Sequence, residues 1–378
     1  MAAMVLTILR QRLPRLTSIN SNNILLKLKA FTLWAPFFSF FPMKKIDSSK
    51  PRRLKFVAYA YSEAIRKKSM GSLGVANNYT CATLRFVSFL ATHGKKDISF
   101  KKITALLMSD FESWLRQQGC QRNTTATYLR SLRAIWGRAV KEGMADGNPF
   151  VGTFRGVANT RKRAISSNDI RHLYEFDICA ALKETVRKQF PEHGKRFQNA
   201  LRRLSMARDY FVFCFCARGM TYVDMAFLGK SSVRDGVIRY VRRKTGQQIE
   251  VHIEPLMQQI MDRYPSTTRY QFPILKDGMN VENTYKKYVS SIHLYNKSLH
   301  QLGQMLGGLP LTSYVSRHTW ATSARNNHVA LPIISQALGH DSEKTTTIYL
   351  KSFDSSVIDE ANHNLLSNVF GIDNDGNG

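Results

Sequence analysis

Acidic residues are scarce in this chain: 27 Asp+Glu stand against 55 Lys+Arg, a formal net charge of +28 over 378 residues. Such an excess repels cationic partners and concentrates polyanions by counterion release, so nucleic acid is the leading partner. Cysteine is scarce as well. Cys81, Cys120, Cys179, Cys214 and Cys216 are odd in number and irregular in spacing, which excludes a disulfide framework and supplies no C-x-x-C metal pair. A reducing cytoplasm fits that usage. No P-loop, no GxGxxG and no paired acidic metal site occurs, so a nucleotide-fuelled motor and a metal-dependent nuclease are disfavoured. No metal and no cofactor are expected. Long apolar runs are missing too. The longest, Phe31 to Pro42 (FTLWAPFFSFFP), has twelve residues and a proline, short of the about 20 that span a bilayer, and no small-residue cleavage site follows it. No membrane partner is expected.

Aromatic residues, by contrast, are present in number: 22 Phe, 15 Tyr and 4 Trp, enough to exclude disorder as the main state. The length suits two domains, or three, each with its own core. The charge is uneven, with 26 Lys+Arg and 7 Asp+Glu in residues 1–160 against 29 and 20 in the remainder. Residues 1–42 carry five of those cations and no acid, and Met43 is expected to be a sufficient start, with 1–42 dispensable. Loss of activity in a chain beginning at Met43 refutes that expectation.

From Leu54 the apolar residues recur at three and four, which predicts four helices in FVAYAYSEAIRKK, NNYTCATLRFVSFLATHG, ITALLMSDFESWLRQQG and TTATYLRSLRAIWGRAVKEG. The last three end on Gly94, Gly119 and Gly143, where left-handed caps are expected. Ser109, and Asn123 or Thr124, are the expected helix starts. Residues 151–164, with the basic Arg161, Lys162 and Arg163, lose the periodicity and are expected to be a linker. Beyond it the pattern predicts helices over 166–186 and 196–217, and two strands, GVIRYVRR and QQIEVHI, around a Lys244-Thr245-Gly246 turn. Helices resume from Val281, and 371–378 is an expected disordered tail. The fold class is mainly α with a small β-sheet. The plan is an extension over 1–53, a helical module over 54–150, the linker, and an α+β domain over 165–370.

The densest chemistry lies between Leu311 and Leu350. There an Arg-His-Thr-Trp-Ala-Thr run is followed by Leu338-Gly339-His340, and Tyr349 stands nine residues after that His. Arg317, His318, Ala321, Thr322, Leu338, Gly339, His340 and Tyr349 together resemble the second box of the tyrosine recombinase (phage integrase) family, most of all the integrases of Bacteroidota mobile elements and invertible DNA. The resemblance runs from about Leu54 to Asn368. It implies a helical, SAM-like core-binding domain over 54–150 and a tyrosine recombinase catalytic domain over 165–370, closing as a C-shaped clamp on duplex DNA. It implies site-specific recombination, by integration, excision or inversion, through a 3′-phosphotyrosine and without cofactor. It further implies a homotetramer on DNA, built by exchange in trans of the amphipathic segment Asp354 to Phe370, and a cytoplasmic, nucleoid-associated protein.

The chemistry accounts for the residue types. A free tyrosine titrates near 10, so a phenol that attacks a phosphodiester needs cations that favour its ionised form. The charge gathered on the phosphate oxygens suits guanidinium donors, and the leaving 5′-oxygen needs an acid. By resemblance, Tyr349 is the nucleophile, Arg317 clamps the phosphate, His340 hydrogen-bonds it and Lys244 is the general acid. Two positions depart from the pattern. Tyr314 replaces the usual His three residues before the second Arg. Thr221 stands where the first catalytic Arg belongs in ARGMTYVDMAFL, with Asp224 in the place of the family's acid. Arg218, about one helical turn earlier, is the expected substitute. These departures keep open an alternative, a catalytically impaired DNA-binding or architectural protein, whereas a type IB topoisomerase has no need of an exchanged C-terminal helix. Lys95, Lys96, Lys101, Lys102, Arg122, Asn123, Thr124, Arg130, Arg133, Arg161, Lys162 and Arg163 are candidate DNA contacts, and Thr125 shares the helix start with Asn123 and Thr124. Only about 53 residues precede the helical module, so core-site binding alone is expected, without a separate arm-binding domain.

Overall fold

The computed structural model describes residues 54–158, 164–186 and 194–340, without the side chains of Thr185 and Val186. The first group of elements is helical: α1 (Phe56–Ser69), α2 (Leu73–Ala91), α3 (Ala105–Gln117) and α4 (Arg122–Lys141). Their apolar stripes face one another, and Phe56, Phe86, Phe111, Leu129, Leu132 and Ile135 lie fully enclosed. Phe56 meets Phe86 and Phe100 edge to face, each with ring centroids 5.7 Å apart, the arrangement aromatic quadrupoles favour. Gly94, Gly119 and Gly143 have φ of 67°, 78° and 72° just past α2, α3 and α4, as their role in ending helices requires. The starts differ from expectation. α3 begins a turn before Ser109, because the Thr104 hydroxyl accepts the Leu107 amide at 3.2 Å, and α4 begins at Arg122 behind Gln121 with no side-chain cap.

The second group comprises α5 (Ser167–Glu175), α6 (Ile178–Val186), α7 (Lys195–Cys216), α8 (Tyr222–Ala226), the strands β1 (Val233–Arg234), β2 (Val237–Val241) and β3 (Gln248–His252), then α9 (Pro255–Arg263), α10 (Val281–Met305), α11 (Val315–Asn326) and α12 (Leu331–Leu338). The single helix expected over 166–186 is two. Phe176 turns extended at φ −60° and ψ 124°, and the Asp177 carboxylate restarts the backbone by accepting the Ala180 amide at 2.9 Å. The sheet has a third strand, β1, and is antiparallel in the order β1-β2-β3, with Ile238 opposite Val251 and Tyr240 opposite Ile249. β3 alternates buried and exposed residues, so Ile249 and Val251 enter the core around α7.

α7 is the spine of this body. Its buried Asp209 accepts from Arg208 at 2.9 Å, Arg263 at 2.6 Å and the Tyr264 hydroxyl at 2.7 Å, which ties α9 to it. Short α8 is held by the Tyr222 ring stacked on Tyr295 of α10 at 4.4 Å. Gly303 lets the chain fold back on α10, since a Cβ there meets the Leu309 carbonyl at 2.1 Å. Lys68, at the end of α1, and Lys286 both pair with Glu282 of α10, at 2.9 and 2.8 Å. No helix among the described residues is long and apolar enough to cross a membrane. Residues 1–53, the Arg161-Lys162-Arg163 run, Tyr349, the 354–370 segment and the tail lie outside the described residues.

Candidate active site

Four segments far apart in sequence meet at the start of α11. α11 carries Arg317 inward, where the residue is 2% exposed. One of its terminal nitrogens donates to the Gly219 carbonyl at 2.9 Å, and the other donates to the Leu338 carbonyl at the end of α12. Gly219 is required at that point for two reasons. Its φ is 70°, and a Cβ there stands 3.0 Å from the Arg317 Cα. The Arg317 side chain and the turn that follows Arg218 are therefore one packed unit.

His340 completes the pair. α12 closes on Gly339 at φ 62°, which reverses the chain and brings His340 back so that its Nε2 lies 3.1 Å from Arg317. A guanidinium can only donate, so that nitrogen accepts and the proton of the neutral ring sits on Nδ1. Burial, then the charges of Arg317, Arg242 and Lys244, push the His340 pKa down to about 4, so the ring is neutral at physiological pH. A neutral His340 carries a single N–H and no charge, so the full charge of the pair is that of Arg317.

The turn between β2 and β3 is the third wall. Lys244 stands at its tip, exposed to solvent. Its neighbours are anchored on both sides. The Arg243 amide donates to the buried Asp224 carboxylate at 2.9 Å, and the Arg243 guanidinium lies over the Phe227 ring at 3.9 Å. The Thr245 hydroxyl donates to the Gly339 carbonyl at 3.1 Å, and the Gln247 amide donates to the His340 carbonyl at 3.1 Å.

Arg218 does not sit on a helical turn shared with Thr221, and that part of the expectation is corrected. α7 has ended at Cys216, Arg218 adopts a left-handed φ of 54°, and Thr221 is the cap of α8. The Thr221 hydroxyl donates to Asp224 at 2.6 Å and accepts the Asp224 amide, so Thr221 has a local role and Asp224 belongs to it and to Arg243. Arg218 is partly exposed, directly beside the Gly219 carbonyl that holds Arg317. Tyr314 precedes α11, 41% exposed, with its ring 5.9 Å from that of His318.

In the helical module Lys95, Lys96, Lys101, Lys102, Thr124 and Arg133 are exposed and project from it. Three other candidates are engaged in holding the segment after Phe150. Asn123 exchanges two hydrogen bonds with Ala158 at 3.0 and 2.7 Å, Arg130 donates to the carbonyls of Arg155 and Gly156, and Arg122 lies over the Phe154 ring at 4.0 Å. Thr125 is buried. Sequence reasoning passed over Arg242, 1% exposed, whose guanidinium donates to the Gly339 carbonyl. Its alternation within GVIRYVRR was the available signal, since the neighbouring Val241 and Arg243 face solvent. Among the described residues no three His, Cys, Asp or Glu side chains converge on a metal-sized space.

Residues 55–157 match the phage integrase SAM-like domain family. No curated protein sequence matches the chain. Among solved structures, the Tn1549 transposon integrase (residues 82–397), in complex with a circular intermediate DNA, superposes with a TM-score of 0.56 at 14% identity, covering 82% of this chain and 100% of that one. A lambda integrase dimer bound to a core site superposes with a TM-score of 0.53 at 14% identity, over 89% of this chain and 90% of that one. Its fragment 75–356, also bound to a core site, gives 0.51 at 14% identity, over 78% and 97%. At that identity the likeness is one of fold. Residues 55–157 thus match the phage integrase SAM-like domain, and over about four fifths of its length the chain shares the fold of the Tn1549 and lambda integrases.

Proposed function

We propose that this protein is a site-specific DNA recombinase that cleaves and rejoins DNA through a 3′-phosphotyrosine, integrating, excising or inverting a mobile or invertible element. The observation that carries the reading is the packing of Arg317 and His340 against the Arg218-Gly219 turn and the hairpin that bears Lys244, which gathers cations from separate segments. Such preorganised donors are worth most where charge develops in a transition state. Tyr349, nine residues beyond His340, is the nucleophile. Its phenolate oxygen attacks the scissile phosphorus, the bond to the 5′-oxygen breaks, and Lys244 gives that oxygen its proton. Arg317, Arg218 and the Nδ1–H of His340 bind the phosphate oxygens. The reverse attack by a 5′-hydroxyl releases Tyr349, so no energy source or cofactor is consumed.

The known integrase complexes contain DNA, and the cationic module supports the same partner here. In this reading residues 54–150 are the core-binding domain and 165–370 the catalytic domain. Lys95, Lys96, Lys101 and Lys102 contact phosphate, which positions a duplex without choosing its sequence. Four protomers assemble on two sites through the 354–370 segment, exchanged in trans.

The test is covalent trapping on nicked suicide duplexes tiled across the DNA that flanks the coding sequence. Wild-type protein forms a band that survives denaturant, and Tyr349→Phe forms none while it binds the same duplex. A wild-type protein that binds but never attaches is a DNA-binding protein without strand exchange, and the proposal fails. Arg218→Ala slows attachment about 100-fold or more, as loss of a transition-state donor does. Thr221→Ala retains attachment and lowers stability by about 1 kcal/mol, as loss of a helix cap does.

A further inference from the structure

Arg242 has no place in the chemistry described above, yet it is the largest side chain enclosed in the catalytic body, level with Arg317. A buried guanidinium is an expensive way to fill space, and an apolar residue of the same volume serves stability better. Its Nε has no hydrogen-bond partner among the described residues, which adds to that expense. What it touches is specific. Its terminal nitrogen donates to the carbonyl of Gly339, the residue before His340, and its aliphatic stem fills the space that a Cβ on Gly339 would enter, 3.1 Å away. Its own backbone closes the loop that presents Lys244, because its amide donates to Gln247 and its carbonyl accepts from Gly246, both at 2.8 Å. One residue thus sits at the base of the Lys244 turn and holds the chain at His340. Thr245 and Gln247 add two further donors to the same short stretch of backbone.

We infer that Arg242 is a positioning residue: it docks the Lys244 turn onto the Gly339-His340 backbone, so that the proton donor is held in register with the phosphate bound by Arg317 and His340. The inference rests on the proposed recombinase reading and deepens it. Misplacement of a reacting group by about 1 Å slows a reaction by about 100-fold, and this is the effect expected of an undocked turn.

The experiment compares wild type, Arg242→Met and Arg242→Lys in single-turnover attachment to the flanking-DNA suicide duplexes, made with either oxygen or sulfur at the 5′-bridging position of the scissile phosphate. A sulfur leaving group departs as thiolate and needs no proton. Expected results are attachment about 100-fold slower for Arg242→Met on oxygen DNA, recovery to near the wild-type rate on sulfur DNA, an intermediate rate for Arg242→Lys, and unchanged duplex affinity. A wild-type rate for Arg242→Met on oxygen DNA overturns the inference, as does equal slowing on both duplexes or a parallel loss of DNA binding. Hydrogen exchange judges it without catalysis. The amides of Arg242, Gly246, Gly339 and His340 are all hydrogen-bonded. They exchange faster in Arg242→Met while the α7 core keeps its protection, and unchanged exchange at those four overturns the inference even if no protein attaches to DNA.

Discussion

The helical module and the body that follows it use the same residue types in opposite ways. In the module the interior is apolar and aromatic, and the cations stand outside, facing solvent or engaged in holding the segment from Phe154 to Ala158. In the body two guanidinium groups, Arg242 and Arg317, are enclosed with almost no exposure, and each donates to backbone carbonyls at the ends of turns. The difference separates two kinds of electrostatics. Exposed lysines add a diffuse attraction to any polyanion, which salt screens, whereas enclosed arginines fix geometry in a low dielectric where a donor is strong. The +28 of the whole chain is a sum over both, and only the second kind needs a particular fold.

That contrast is breakable. The largest effect is expected from Arg317→Ala, which leaves the Gly219 and Leu338 carbonyls buried without their donor, at about 1 to 3 kcal/mol each, and abolishes attachment to DNA. Arg130→Ala, which frees two exposed carbonyls, changes stability by about 0.5 kcal/mol or less. Equal losses in urea unfolding erase the distinction between the two regions.

A smaller effect concerns pH. The folded pKa of His340 lies at about 4, below the 6.5 of an open chain, so between those values the unfolded chain takes a proton that the folded one refuses. The contribution is complete above 6.5 and diminishes as pH falls toward 4. The urea midpoint of wild type declines over that window, and His340→Gln flattens the decline. A slope that is unaltered in His340→Gln places the ring outside this enclosed environment. The smallest effect on stability belongs to the module. Joint replacement of Lys95, Lys96, Lys101 and Lys102 by Ala leaves the melting temperature close to wild type and lowers the salt dependence of DNA binding, by about 0.9 in slope for each phosphate that is no longer neutralised. An unchanged slope shows that the duplex lies elsewhere.

The four helices of the module were legible because their apolar residues repeat at helical spacing and three of their ends carry Gly94, Gly119 and Gly143, signals that are local. The β2-β3 turn was legible for the same reason, since two alternating runs flank Thr245-Gly246. Local cues failed where a competing local bond intervened. Thr104 rather than Ser109 starts α3, and Asp177 splits one expected helix into α5 and α6. β1 has two residues, too few for a period to show.

At the site, the family resemblance named Arg317, His340 and Lys244, but it could not tell that Arg317 binds the Gly219 carbonyl, 98 residues away in sequence, or that His340 is held neutral. It also set Arg218 on a helical turn shared with Thr221, but a helical offset presumes a helix, and α7 stops two residues before Arg218. By charge Arg242 reads as one more cation in a basic run, and only the alternation of GVIRYVRR sets it on the inward face with Ile238 and Tyr240. The sequence by itself determined the cationic character, the helical module and the residue types of the second box, all of them properties of neighbours along the chain. Only the tertiary structure decided which cations are enclosed, which face solvent and which hold the linker, because desolvation and hydrogen-bond satisfaction depend on segments that the chain brings together only by folding.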